Sequence, residues 1–169
     1  MRAHLDRIAT INPLINALVQ VLPTEIALEQ ARAADAVFRR NPASCGKLHG
    51  VPVSIKDGRK VKGFTCSLGN RSPLNSVATE DATIVARLRS AGAIVVGISN
   101  IPDFSMSYDT DNLLYGRTNN PYDVRRSPGG STLTLAQTEV FSETEGKEQL
   151  IALLTATLMA VEGREGIAD

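Results

Sequence analysis

The hydrophobic and polar positions of this chain alternate between helical stripes and short apolar runs. Leu5, Ile8 and Ile11 recur at helical spacing and predict a short amphipathic helix over 3–11, after which 16-NALVQV-21 reads as a strand. In 23-PTEIALEQARAADAVFRR-40 the apolar face is Ile26, Ala27, Ala31, Ala34 and Phe38. Pro23 suits a first turn there, Thr24 and Glu25 suit the N-terminal end, and Arg39 and Arg40 suit the C-terminal end of a helix dipole.

Pro, Gly and Ser in 41-NPASCGKLHG-50 mark a connection, which delivers the chain to 51-VPVSIKD-57, an alternating strand that ends in charge. A second helix is predicted over 79–92, with Thr79 as N-cap, two acids in its first turn and Gly92 to stop it. It feeds 93-AIVVGIS-99, a continuous apolar strand. A helix running straight into a fully apolar strand implies a sheet covered on both faces, so the fold class is α/β, with helices packed over a mixed or parallel sheet.

Residues 100–131 then read as loop, and long ordered loops in compact domains tend to carry function. Beyond them, Ser142 and Glu145 have capping-box spacing, and Leu150, Leu153, Leu154, Leu158 and Val161 form a stripe. That pattern predicts a C-terminal amphipathic helix over 142–163.

Composition narrows the class. A chain of 169 residues, 43% apolar and 21% charged, has the length and make-up of one ordinary globular unit. Eighteen basic and eighteen acidic residues balance, and Arg39-Arg40 and Arg125-Arg126 are short clusters, so no nucleic-acid partner is expected. Cys45 and Cys66 lack a CxxC partner, and His4 and His49 have no neighbour at metal-ligand spacing. No metal, cofactor or disulfide is expected, and a reducing compartment fits. With no apolar run near the roughly 20 residues of a membrane span and no signal-peptide core after Met1, the expected location is the cytoplasm.

Two residues suggest chemistry. Lys56 ends the strand in 53-VSIKDG-58, and an ammonium desolvated at the end of an apolar strand becomes a usable base near neutral pH. The bland alternative is a solvated lysine paired with Asp57. Ser131 follows two glycines in 127-SPGGS-131, where Gly129 and Gly130 free the backbone to aim a hydroxyl and nearby amides at one point. Its bland alternative is a plain turn.

The blocks 48-LHGVPVSIKD-57, 61-VKGFTCSLGN-70, 79-TEDATIVARLRSAGAIVVGISNIPDF-104 and 116-GRTNNPYDVRRSPGGS-131, with 5-LDRIATINPLINALVQ-20 before them, resemble the amidase signature family in order and spacing. The resemblance implies hydrolysis of a carboxylic amide C–N bond on a small-molecule substrate by a Ser–Ser–Lys triad. Lys56 matches the lysine. Ser131 matches the bridging serine, which a cis peptide bond precedes in such enzymes. Asp57 and Asn100 match positions that support the site.

The chain departs from the family at 132-TLTLAQTE-139, where Ser-Gly-Gly and an acidic residue are expected. The family's nucleophile stands in a later Gly-Gly-Ser turn, and Ser142 is the only serine after Ser131. Ser142 is better explained as a helix cap, and Thr155 and Thr157 lie within an apolar run with no flexible backbone for an oxyanion hole. Gly58 stands where many relatives carry a polar side chain. The expectation is a partial, truncated amidase-signature fold over 1–131, a mixed sheet flanked by helices, and a divergent tail over 132–169. No nucleophile is identified, so activity is expected to be lost. The alternative is a non-catalytic truncated fragment acting, if at all, as a protein-interaction module, and apolar surface exposed by truncation would allow self-association.

Overall fold

The computed structural model describes residues 1–72 and 76–128 in full, and the backbone of residues 134–144 and 147–158. Contacts divide the chain into two units, Met1–Pro128 and Gly129–Asp169.

The first unit is built on a three-stranded mixed sheet. Its strands are β1 (Leu18–Val21), β2 (Pro52–Lys56) and β3 (Ile94–Ser99), in the order β1-β3-β2. β3 is central because it is the strand that can be buried throughout: Ile94, Val95, Val96 and Ile98 are each at most 5% exposed. β2 runs parallel to it and β1 antiparallel. The helices are α1 (Arg2–Ile15), α2 (Thr24–Arg40) and α3 (Thr83–Ser90), the last connecting the two parallel strands. The core is Ile55, Val61, Phe64, Val85, Val95 and Ile98, with Val19, Leu22 and Leu88 packed on it.

Local chemistry moves two boundaries from those the sequence predicts and narrows one buried stripe. α1 runs through Pro13 to Ile15 rather than stopping at 11. It ends where Asn16 turns left-handed, and the Asn12 side chain both accepts from the Leu18 N–H and donates to the Leu18 carbonyl, each at 2.8 Å, steering the chain into β1. α2 buries Ala27 most completely, while Ile26 and Phe38 stay 43% and 47% exposed, so its buried stripe is narrower than the predicted apolar face. α3 begins at Thr83 with Ala82 at its N-cap, not at Thr79. Asp81 is occupied outside the helix: it accepts the Lys62 N–H at 2.7 Å and pairs with Arg89 at 3.0 Å. Gly92 does follow the helix end, at φ +97°, where a Cβ would stand 2.6 Å from His49 Cα.

The second unit corrects the predicted helix over 142–163. The chain there forms an antiparallel pair, β4 (Thr134–Thr144) with β5 (Lys147–Leu158), running from Thr134 opposite Leu158 to Thr144 opposite Lys147 with a register shift between Val140 and Phe141. Leucines at helical spacing inside 150-LIALL-154 also make a continuous apolar run, which a strand accepts equally, and a partner rich in Thr, Val and Phe supplies the ladder. Ser142 is therefore a strand residue opposite Gln149, not a helix cap. Among the described residues, no helix is long and apolar enough to cross a membrane.

Candidate active site

β2 and β3 are parallel and finish side by side, with Lys56 opposite Ser99 and the Asp57 N–H donating to the Ser99 carbonyl at 3.0 Å. This is the carboxyl edge of a parallel strand pair, where open α/β sheets place their ligand crevices. Strand alternation sends neighbouring side chains to opposite faces: Ser54 and Lys56 are exposed, Ile55 and Asp57 buried. That geometry removes the Asp57 pairing expected in the bland reading of Lys56, because a lysine and an aspartate on opposite faces do not form an ion pair, and it leaves the lysine solvated. Lys56 has no salt bridge among the described residues, and its exposure means they supply none of the burial that would desolvate its ammonium.

Asp57 is 1% exposed, and its charge is met by hydrogen bonds rather than by a cation. Oδ1 accepts the Ser67 N–H at 2.8 Å, and Oδ2 accepts the Ser67 hydroxyl and the Gly69 N–H, the latter at 3.3 Å. Ser67 Oγ in turn accepts from Gly69 N–H at 3.2 Å. A buried carboxylate left without such donors would be strongly destabilising. The carboxylate thus acts as an internal anion for the amides of loop 67–69 and fixes that loop beside the end of β2.

Asn100, directly after β3, has its whole side chain engaged. Nδ2 donates to the Gly116 carbonyl at 2.9 Å and to Thr118 Oγ1 at 3.0 Å, while Oδ1 accepts the Ile101 N–H and Asn112 Nδ2. Asn112, 7% exposed, also donates to the Ile101 carbonyl and accepts the amides of Leu114 and Tyr115. Thr118 donates to the Asn16 carbonyl, closing the network onto the end of α1. These bonds tie the 112–118 loop to the end of β3 through Asn100.

Lys56, Asp57 and Asn100 therefore share one edge of the sheet. Gly129, Gly130 and Ser131, with the peptide bond before Ser131, lie outside the described residues. Ser67, Asn112 and Thr118 are buried polar residues that the sequence pattern does not single out. They sit in loops, where no periodicity separates inward from outward positions. His49 orders its turn, its Nε2 lying 2.9 Å from the Ala34 carbonyl of α2. A groove of about 720 Å³ lined by Gln20, Leu22, Ile26, Phe64 and Arg89, among others, includes none of Lys56, Asp57 and Asn100. Among the described residues, no cluster of His, Cys, Asp and Glu could hold a metal ion.

A family model described as Amidase matches residues 1–132. The chain belongs to the amidase family. It is similar to the A subunit of glutamyl-tRNA(Gln) amidotransferase from Coxiella burnetii, 41% identical over 128 residues that make up 76% of this chain and 26% of that protein. It is 42% identical over 132 residues to indoleacetamide hydrolase of Bradyrhizobium diazoefficiens, covering 78% of this chain and 25% of that one. The solved peptide amidase of Stenotrophomonas maltophilia superposes with a TM-score of 0.66 at 33% identity, over 77% of this chain and 28% of that one. The chain thus spans about a quarter of the length of the relatives it matches.

Within this amidase-family segment, Cys66 reports on the Asp57 charge. Burial pushes its thiol above the ordinary range and the Asp57 carboxylate adds to that, with Lys60 and Arg59 opposing. A raised pKa means less thiolate at any pH below it, so alkylation by iodoacetamide should rise with pH to a midpoint above that of an unstructured cysteine peptide. Asp57→Asn should lower that midpoint while leaving the share due to burial. A Cys66 midpoint at or below the peptide's would contradict this account.

Proposed function

We propose that this chain carries the base-bearing portion of a carboxamide hydrolase, with Lys56 as general base and Ser131 as hydroxyl relay, and that the 169-residue chain is itself catalytically silent. The observation that carries the reading is Lys56 itself: an ammonium without a salt bridge among the described residues, at the carboxyl edge of β2 and β3, inside the segment that matches the family. In the reaction, Lys56 Nζ, once it has lost its own proton, takes the proton of Ser131 Oγ, and Ser131 Oγ takes that of a second serine. The second serine attacks the amide carbonyl, the C–N bond breaks as the proton returns to the leaving nitrogen, and water releases the acyl group. The named activities of the relatives, an indoleacetamide hydrolase and a component of an amidotransferase, agree with a carboxamide substrate.

Silence follows from residues 132–169. They hold one serine, Ser142, and no Gly-Gly pair from which an oxyanion hole could be built around it. The purified chain, assayed for ammonia release from simple primary carboxamides, should show no turnover above the uncatalysed rate. Turnover that disappears in Lys56→Ala would overturn the silence.

A further inference from the structure

The groove of about 720 Å³ lies away from the proposed base: it reaches Val95, the second residue of β3, whereas Lys56 stands opposite Ser99, the last. Its apolar lining comes from three places in the chain, with Val21 and Leu22 where β1 ends, Ile26 in the first turn of α2, and Phe64 after β2. Phe64 is 9% exposed, while Val21 and Ile26 are left 42% and 43% exposed. A concave site of that size, apolar in the main and with a few polar groups, is the ordinary form of a small-molecule site.

The polar groups decide what such a site would hold. Gln20 commits both ends of its amide to the Thr65 backbone, and Gln30 contributes only a neutral amide. Asp81 accepts the Lys62 N–H and lies 3.0 Å from Arg89 Nε, yet that Nε is buried and makes no hydrogen bond, so Asp81 holds the guanidinium by charge alone. The Arg89 Nη groups and the Lys62 ammonium have no partner among the described residues. What stays unused at the groove is therefore donor capacity on two cations. Lys62 and Arg89 against Asp81 leave one net positive charge, which suits a monoanion better than a dianion such as phosphate. A guanidinium can give a carboxylate two parallel N–H bonds.

We propose that this groove binds a monocarboxylate with an apolar body, its carboxylate on Arg89 and Lys62 and its body against Leu22, Ile26 and Phe64. The site is separate from the hydrolysis proposed for Lys56, does not depend on it, and is read without turnover.

The test is a titration of the 169-residue chain with phenylacetate, followed by NMR at the Leu22 and Phe64 amides, with phenethyl alcohol, acetate and inorganic phosphate as comparisons. Phenylacetate should give saturable shifts at both residues. Phenethyl alcohol keeps the ring without the charge and acetate the charge without the ring, so each should bind at least about tenfold more weakly. Lys62→Gln and Arg89→Gln should each weaken phenylacetate by about tenfold, the usual loss for a hydrogen bond to a charged group, and leave phenethyl alcohol unchanged. Ile26→Ala should weaken both ligands alike, since it removes part of the apolar lining only. Lys62 is exposed, so Lys62→Gln carries the test if Arg89→Gln unfolds. No saturable binding of phenylacetate, shifts confined to residues outside the groove, unchanged affinity in Lys62→Gln, or binding of phenethyl alcohol, acetate or phosphate as tight as that of phenylacetate would each overturn the site.

Discussion

Gly97→Ala is expected to destabilise the Met1–Pro128 unit by about 3 kcal/mol, at the upper end of the cost of forcing extra atoms into a packed core. Gly97 is buried in the middle of β3, where glycine ordinarily weakens a strand. Its place is explained by close approach: a Cβ would stand 2.6 Å from the Gln20 carbonyl oxygen of β1 and 3.4 Å from Val21 Cα. The nearest of these atoms is backbone, so it cannot swing aside as a side-chain tip would. Both neighbouring strands also change register here. β1 has an extra residue between Leu18 and Gln20, and the pairing of β2 slips between Val53 and Ser54, the latter opposite Gly97. Such bulges bend the sheet, and a glycine at their meeting point lets the bent strands lie close.

The consequence reaches the site edge. Gln20 accepts the Thr65 N–H at 2.9 Å and donates to the Thr65 carbonyl at 2.8 Å, so β1 holds the segment that leads into Ser67. Pushing β1 outward should therefore speed amide exchange at Thr65 and Ser67 as well as at Leu22, whose N–H bonds the Val96 carbonyl at 2.8 Å. With a urea m-value of about 2 kcal/mol/M, the unfolding midpoint should fall by about 1.5 M. A midpoint within about 0.3 M of the parent would show that β1 yields freely and that the close approach is not limiting.

The parts of the fold legible in the sequence are those whose periodicity and burial agree. β3 is apolar at nearly every position because both faces are covered, and 93-AIVVGIS-99 reads that way from its residues alone. α2 is legible because a long stripe, a leading proline and two closing arginines agree. The start of α3 is not, because Thr79 and the acids after it look like a cap, while Asp81 is committed to Lys62 and Arg89 through contacts that a local pattern does not show. The C-terminal segment misleads for a related reason: a short leucine-rich run satisfies helix and strand alike, and the decision lies with a partner strand.

The site divides in the same way. Lys56 and Asp57 are marked by their place at a strand end, while their separation onto opposite faces, where the sequence alone leaves a pairing open, comes from the burial pattern of β2. Ser67 and Asn112 escape a sequence reading because they act from loops, where a buried polar side chain is defined only by the donors and acceptors around it. Asp57, expected to support the site, organises loop 67–69 from inside.

The largest expected effect concerns the proposed base. Residues 1–131, substituted for the matched segment of the Bradyrhizobium indoleacetamide hydrolase, with which the chain is 42% identical over the match, should give a graft that hydrolyses the amide of that enzyme. In the graft, Lys56→Ala should lower kcat/KM by at least about a thousandfold, equivalent to about 4 kcal/mol, as loss of a base within a relay that works as a unit requires. Lys56→Arg should not rescue it, because a guanidinium keeps its proton at any working pH and cannot withdraw one from a serine. The comparison separates a base from a mere positive charge: a lysine that only orients substrate electrostatically would be replaced in large part by arginine. Activity in Lys56→Arg within about tenfold of the parent graft would therefore remove Lys56 from the proton path, and would leave its position at the carboxyl edge of the sheet as a structural fact in need of another use.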